Sequence, residues 1–226
     1  DPNGQFVASG AKAGLENAAK AYNLKISNKK IRFDFFEDHG DNNPTLIVSI
    51  LGSFPKDKDG DINTMSPSFK KKSNTIFMIG KSVDDIATSD YLEFYHGISE
   101  SPLPQFDLDF EVKISDIIRN LIDKKLIESA SPVSKGGLFF TLMRAGWLNG
   151  LGFDITTDAE TRIDAFLFGE AMGRIVVGVS IDKEDEFVDY LFESKIPFFA
   201  LGHVTKGEIR IDDESFGFID KISEAF

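Results

Sequence analysis

The 226-residue chain contains no cysteine. Disulfides, thiolate metal sites and cysteine nucleophiles are thereby excluded from it. Histidine is nearly as scarce: His39, His96 and His203 are scattered, with neither the spacing of zinc ligands nor a nearby carboxylate pattern, so no zinc centre or catalytic triad is expected. No apolar run approaches the roughly 18 residues of a membrane span and no stretch reads as a secretory signal, which leads to the expectation of a cytoplasmic protein. Positive charge is also short. Lys and Arg number 25 against 37 Asp and Glu, a formal net charge of -12. Such a field repels nucleic acid and anionic membranes, which are excluded as main partners. A phosphate-bearing small molecule remains compatible, because local glycines, a lysine or Mg²⁺ can outweigh the global field.

What is present is enough apolar material for a sizeable core, with 42% hydrophobic residues and 22 Phe. The phenylalanines are read as core and interface, since several alternate within strand-like runs, as Phe33 and Phe35 do. The chain opens on Asp-Pro-Asn-Gly and is read as a piece of a longer protein. Leu15, Ala18, Ala19 and Tyr22 predict a helix over residues 11–23. Strands are expected over 31–36 and 45–51, and a domain boundary near Gly52, where charged and Ser/Pro/Lys-rich sequence begins.

Beyond it, residues 74–80 read as a buried strand, 84–95 as a short helix and 99–108 as extended chain. The apolar spacing over 112–126 predicts the longest helix, and 137–149 another that closes at Gly150. Asp182 is positioned to N-cap a helix carrying Glu184, Asp185 and Glu186 in its first turn. Residues 197–201 and 208–211 are expected to pair around Gly202 and Gly207. Without a strict βαβ rhythm, the pattern predicts an α+β or mixed α/β domain, a mixed sheet with helices packed on one face.

Two segments carry candidate chemistry. Residues 164–179 (Asp-Ala-Phe-Leu-Phe-Gly-Glu-Ala-Met-Gly-Arg-Ile-Val-Val-Gly-Val) read as two strand-like runs meeting at a turn, with Glu170 and Arg174 beside Gly169 and Gly173. The turn is either a solvated charged turn or a place of close ligand approach. Residues 131–138 (Ser-Pro-Val-Ser-Lys-Gly-Gly-Leu) either offer an anion free backbone N–H groups, a hydroxyl and a cation at a helix start, or form an ordinary helix start capped by Ser134. Asp57-Lys-Asp-Gly-Asp61 fails the register of an EF-hand loop and is read as solvated, and Lys70 to Lys72 either as a surface run before a strand or as cations that meet a phosphate.

Taken together, these segments resemble the phosphoribosylformylglycinamidine synthase family, in the C-terminal part of its synthetase region, within the wider aminoimidazole ribonucleotide synthetase superfamily. Residues 130–138 stand where that family has Ala-His-Asp-Val-Ser-Asp-Gly-Gly-Leu, and 167–174 are similar to its Leu-Phe-Gly-Glu-Ser-x-Gly-Arg. Residues 151–155, Ser89 to Leu92, His96-Gly97, 104–109, Ile196-Pro197 and 202–205 extend the likeness across most of 13–212. Ser131, Pro132 and Lys135 replace the family's His and both acids, Ala171 replaces its Ser, and residues 27–30 replace its usual Gly-Gly-Asn.

The resemblance implies an ATP-dependent C–N ligase that transfers glutamine-derived ammonia to formylglycinamide ribonucleotide in purine synthesis, using ATP and Mg²⁺. It implies that 1–51 end an ATP-binding A domain and 52–226 form the following B domain. The other synthetase and glutaminase parts would be its partners, and a nucleotide its substrate. Only matching residues carry over as nucleotide or substrate contacts: Ser134, Gly136, Gly137 and Glu170, with Val133 and Gly169 beside them. No catalytic residue is assigned, and no metal ligand either, since Lys at position 135 repels a metal. The chain alone is expected to be inactive. The rival expectations are a non-catalytic scaffold half that holds a structural nucleotide or nothing, and a sister enzyme of cyclo-ligase or selenophosphate synthetase type.

Overall fold

The computed structural model describes residues 2–28, 30, 46–54, 60, 62 and 64–223. The chain divides into two compact units, residues 1–55 and 56–226. The first contains helix α1 (Pro2–Ala21). Ala11, Leu15, Ala18 and Ala19 form its half-buried stripe, the apolar face the sequence indicates. This helix starts well before residue 11 and, at 20 residues, is longer than the one over 112–126. The expected strand over 31–36 lies outside the described residues. Of the expected strand over 45–51, residues 46–51 have no regular structure and stand exposed, Ile47 at 85% and Leu51 at 100%. A strand-forming composition needs a neighbouring strand to hydrogen-bond.

The second unit contains β1 (Thr75–Ile79), α2 (Leu108–Asp123), β2 (Ser129–Pro132), α3 (Gly137–Trp147), β3 (Gly152–Ile155), α4 (Ile163–Phe168) and β4 (Ile175–Val179). Then follow α5 (Glu184–Ser194), β5 (Phe198–Thr205), β6 (Glu208–Ile211), β7 (Glu214–Phe218) and α6 (Ile219–Ser223). The strands form one seven-stranded sheet in the order β2-β4-β1-β5-β3-β6-β7. Its pairs are antiparallel except β3 with β6. The fold is thus of the mixed α/β class.

Alternation along the strands decides where the helices go. Ile76, Met78 and Val176 join a core with Leu138 and Leu142 of α3 and Phe166 of α4. Their neighbours Phe77, Ile79, Val177 and Val179 join a second core with Ile114, Ile117 and Leu121 of α2 and Phe187 and Leu191 of α5. Side chains of period two point to opposite faces, so helices cover both faces of the sheet rather than the single face expected. This also explains the unbroken apolar runs of β1 and β4, whose strands are buried on both sides.

Local chemistry accounts for other departures. Most of residues 84–95 is not helical: Asp85 takes the Ala87 N–H at 2.7 Å and Thr88 has φ +56°, leaving only a helical turn at Tyr91–Tyr95. Residues 164–168, read as strand-like, belong to α4, whose first turn uses Asp164 to accept the Ala165 N–H at 2.8 Å. Its short apolar run has no periodicity that separates strand from helix. Asp182 lies in a 3₁₀ turn (Ile181–Lys183), and Lys183 takes the cap position of α5 without a side-chain cap bond. β5 and β6 do not pair, because β3 lies between them, and β6 pairs instead with β7, which the sequence reading missed.

The approach to β1 is tied to the approach to β2. Glu128 accepts from Lys71 Nζ at 3.0 Å and from Asn74 Nδ2 at 2.7 Å. Burial works against the Glu128 carboxylate, but the Asn74 amide and the Lys71 ammonium outweigh it and hold the group below its ordinary value. A carboxyl with a lowered folded pKa stabilises above its unfolded pKa, and that contribution disappears as pH falls through the folded value. Glu128→Gln is therefore expected to lower stability at pH 7 by about 0.5–1 kcal/mol, since these contacts are partly screened. The difference should shrink toward pH 3, as measured by urea denaturation at the two pH values.

Candidate functional site

The site grows from one buried cation. Arg174 opens β4's end of the turn after α4 and is 2% exposed. Its guanidinium donates to the carbonyls of Gly169 at 2.5 Å, Ala171 at 3.3 Å and Phe166 at 3.5 Å. Burial lowers its pKa to about 10, so the group remains charged at neutral pH. Those carbonyls lie at and just beyond the C-terminus of α4, where the helix leaves acceptors without intrahelical partners and its dipole is negative. The Arg174 carbonyl in turn accepts the Val133 N–H at 2.9 Å, which sets the segment leading into α3 beside the turn.

Held this way, Glu170 bridges two other segments. Its Oε1 accepts the Gly136 N–H at 2.9 Å and the Asp90 N–H at 2.8 Å. Lys135 Nζ approaches Asp90 Oδ1 at 3.3 Å across the same junction. Arg144 Nη1 donates to the Lys135 carbonyl at 2.9 Å, and its Nη2 lies 3.4 Å from Ser134 Oγ. Gly136 and Gly137 have φ of +80° and +71°. A Cβ on Gly137 would come within 2.6 Å of the Leu167 carbonyl oxygen, so this close crossing of α3 and α4 requires glycine.

Ser134, Gly136, Gly137 and Glu170 are therefore brought together, but they face one another. The Gly136 N–H is taken by Glu170 and the Gly137 N–H by the Ser134 carbonyl at 2.8 Å. Ser134 does not cap α3: the cap position is Gly136, with no side-chain cap bond. Asp90 and Arg144 were not singled out from the sequence, because their roles rest on a backbone N–H and on contacts made only after folding. Arg174 had a readable signal, a charged residue heading an uninterrupted apolar strand.

The remaining candidates stand elsewhere. His39 and most of residues 57–61 lie outside the described residues. His96 packs edge-on against the Tyr91 and Tyr95 rings, and His203 sits on β5. Lys71 is engaged with Glu128. A cavity of about 340 Å³ lined by Thr88, Ser89, Glu93, Ile98, Ser99, Glu100 and Ser101 offers hydroxyls and carboxylates but no cation to a phosphate.

The donor set fits neither ATP phosphate nor Mg²⁺ at this loop. Its glycine N–H groups already have acceptors, and a second anion about 4 Å from the Glu170 carboxylate would be repelled by on the order of 4 kcal/mol at an effective dielectric of 20. Among the described residues no group of three His, Asp or Glu side chains is placed to hold a metal. No helix of the described residues is long and apolar enough to cross a membrane.

Residues 71–213 match the family described as AIR synthase related protein, C-terminal domain, and the chain belongs to that family. Over 208 residues it is 27% identical to the phosphoribosylformylglycinamidine synthase subunit PurL of Caldanaerobacter subterraneus subsp. tengcongensis, covering 92% of this chain and 28% of that protein. It is 28% identical over 211 residues to the subunit of the same name from Carboxydothermus hydrogenoformans, again covering 92% of this chain and 28% of the relative. The chain thus spans 28% of the length of these curated relatives. Among solved structures, Thermotoga maritima PurL complexed with FGAR is similar at a TM-score of 0.59 and 11% identity, over 71% of this chain and 29% of that one. The same protein complexed with ATP is similar at a TM-score of 0.54 and 11% identity, over 69% of this chain and 26% of that one. These structural likenesses establish the shared fold.

Arg174→Met would leave the Phe166, Gly169 and Ala171 carbonyls without their donor. A loss of about 2–4 kcal/mol is expected by chemical denaturation, with Arg174→Lys intermediate because one ammonium cannot reproduce the planar fork. Full stability of the Met variant would contradict this role.

Proposed function

We propose that this chain is the C-terminal-domain portion of a PurL-type, ATP-dependent ligase that converts formylglycinamide ribonucleotide to its amidine with glutamine-derived ammonia. The observation that carries the reading is the similarity over 92% of the chain to proteins named phosphoribosylformylglycinamidine synthase subunit PurL. Residues 1–51 are proposed as the end of the ATP-binding A domain and 52–226 as the B domain that follows. In the reaction, ATP phosphorylates the amide oxygen and releases ADP. Ammonia then adds to the activated carbon, and inorganic phosphate leaves. Mg²⁺ would supply charge neutralisation for the phosphates, and the Gly136 loop is not proposed to hold it.

Within this portion, the proposed role of the Glu170 site is architectural. The loop that the sequence offers to an anion spends its N–H groups internally, and Lys135, which stands where the family has an acid, pairs with Asp90. That arrangement favours a scaffold half over a nucleotide-binding half. Without a cysteine the chain supplies no thiol for a glutaminase. Its proposed partners are therefore the remaining synthetase and glutaminase parts, in a cytoplasmic assembly.

The test is an assay of ADP and amidine formation with formylglycinamide ribonucleotide, Mg-ATP and ammonium. The full-length parent is expected to form one ADP per amidine, and this chain alone neither product. A parent that forms no amidine would overturn the ligase reading. Substrate-dependent ADP release by this chain alone would overturn its inactivity.

A further inference from the structure

We infer that Glu170 is the resident anion of the Gly136 loop: its carboxylate occupies the position a phosphate oxygen would take, and thereby closes this half of the domain to phosphate ligands. The inference deepens the scaffold reading of this portion, and it rests on geometry that is independent of whether the parent makes the amidine. Three segments distant in sequence meet at one carboxylate oxygen. Gly136 and Asp90 donate to Glu170 Oε1 at 2.9 and 2.8 Å, across 34 and 80 residues of chain. Two peptide N–H groups converging on one oxygen are the arrangement by which backbone turns hold phosphate. Here the anion is covalently part of the chain, so it is present at a fixed high effective concentration and needs no ligand from solution.

The surrounding charges complete the closure. Lys135, the cation nearest the loop in sequence, is engaged by Asp90 at 3.3 Å, and Arg144 is directed to the Lys135 carbonyl and the Ser134 hydroxyl. A phosphate placed at these N–H groups would lie against the Glu170 and Asp90 carboxylates. Removing the Glu170 carboxylate reverses the balance, leaving two N–H groups without an acceptor beside Lys135 and Arg144.

The test is a titration of this chain with inorganic phosphate, followed by calorimetry and by the Gly136 and Asp90 amide resonances. Wild type is expected to show no saturable binding at the loop. Glu170→Ala is expected to bind phosphate saturably, at least about tenfold more tightly than the weakest binding the titration detects. Glu170→Gln keeps a neutral carbonyl acceptor, spares the fold if the alanine variant does not tolerate the cavity, and is expected to show a smaller gain. Saturable binding by wild type that shifts both amides would overturn the inference, as would the absence of any gain in both variants. Gain in either variant, with a silent wild type, supports it.

Discussion

The placement of a permanent cation inside the protein is the constraint from which the site follows. Arg174 cannot shed its charge at neutral pH, and burying an unpaired guanidinium is costly, so the chain around it must supply acceptors. It does so with the peptide carbonyls of Phe166 at the end of α4 and of Gly169 and Ala171 just beyond it. The helix end and the arginine thus solve each other's problem, and the turn between α4 and β4 brings all three carbonyls to the guanidinium. Glu170 lies inside that turn, between the Gly169 and Ala171 carbonyls that Arg174 holds.

From this arrangement a motif that suggests ligand chemistry becomes an internal fastening. The glycines are used for close approach, as their residue type implies, and the groups that approach are Leu167, Phe168 and Glu170. Lys135 is coherent with this: its ammonium faces Asp90, an exposed pair worth about 0–1 kcal/mol that adds little stability and chiefly neutralises charge at the junction. Family membership and a shared fold are compatible with such a fastening, because a fold does not dictate the site it carries.

The buried parts of the fold were the most legible. β1, α2 and α3 announce themselves through unbroken apolar runs or helical spacing, since core burial dictates their residue types. Less legible were features decided by long-range pairing. Residues 46–51 have strand composition without strand structure, and nothing in residues 197–211 reveals that β3 inserts between β5 and β6. The distribution of helices over both faces is written in the apolar character of Phe77 as well as Met78, although the order of the elements alone is equally compatible with a single covered face. At the site, Glu170, Gly136, Gly137 and Ser134 were identifiable by type and spacing. Their mutual satisfaction was not, because it depends on the Asp90 backbone and on the burial of Arg174.

The central claim is that Arg174 and Glu170 fasten three segments into one unit, and hydrogen exchange of individual backbone amides measures this most directly. The Asp90 and Gly136 amides, which lie outside regular ladders, should exchange slowly and together with the Val133 amide that the Arg174 carbonyl holds. Rapid exchange at Asp90 and Gly136, at rates of an open peptide while β1 stays protected, would contradict the account.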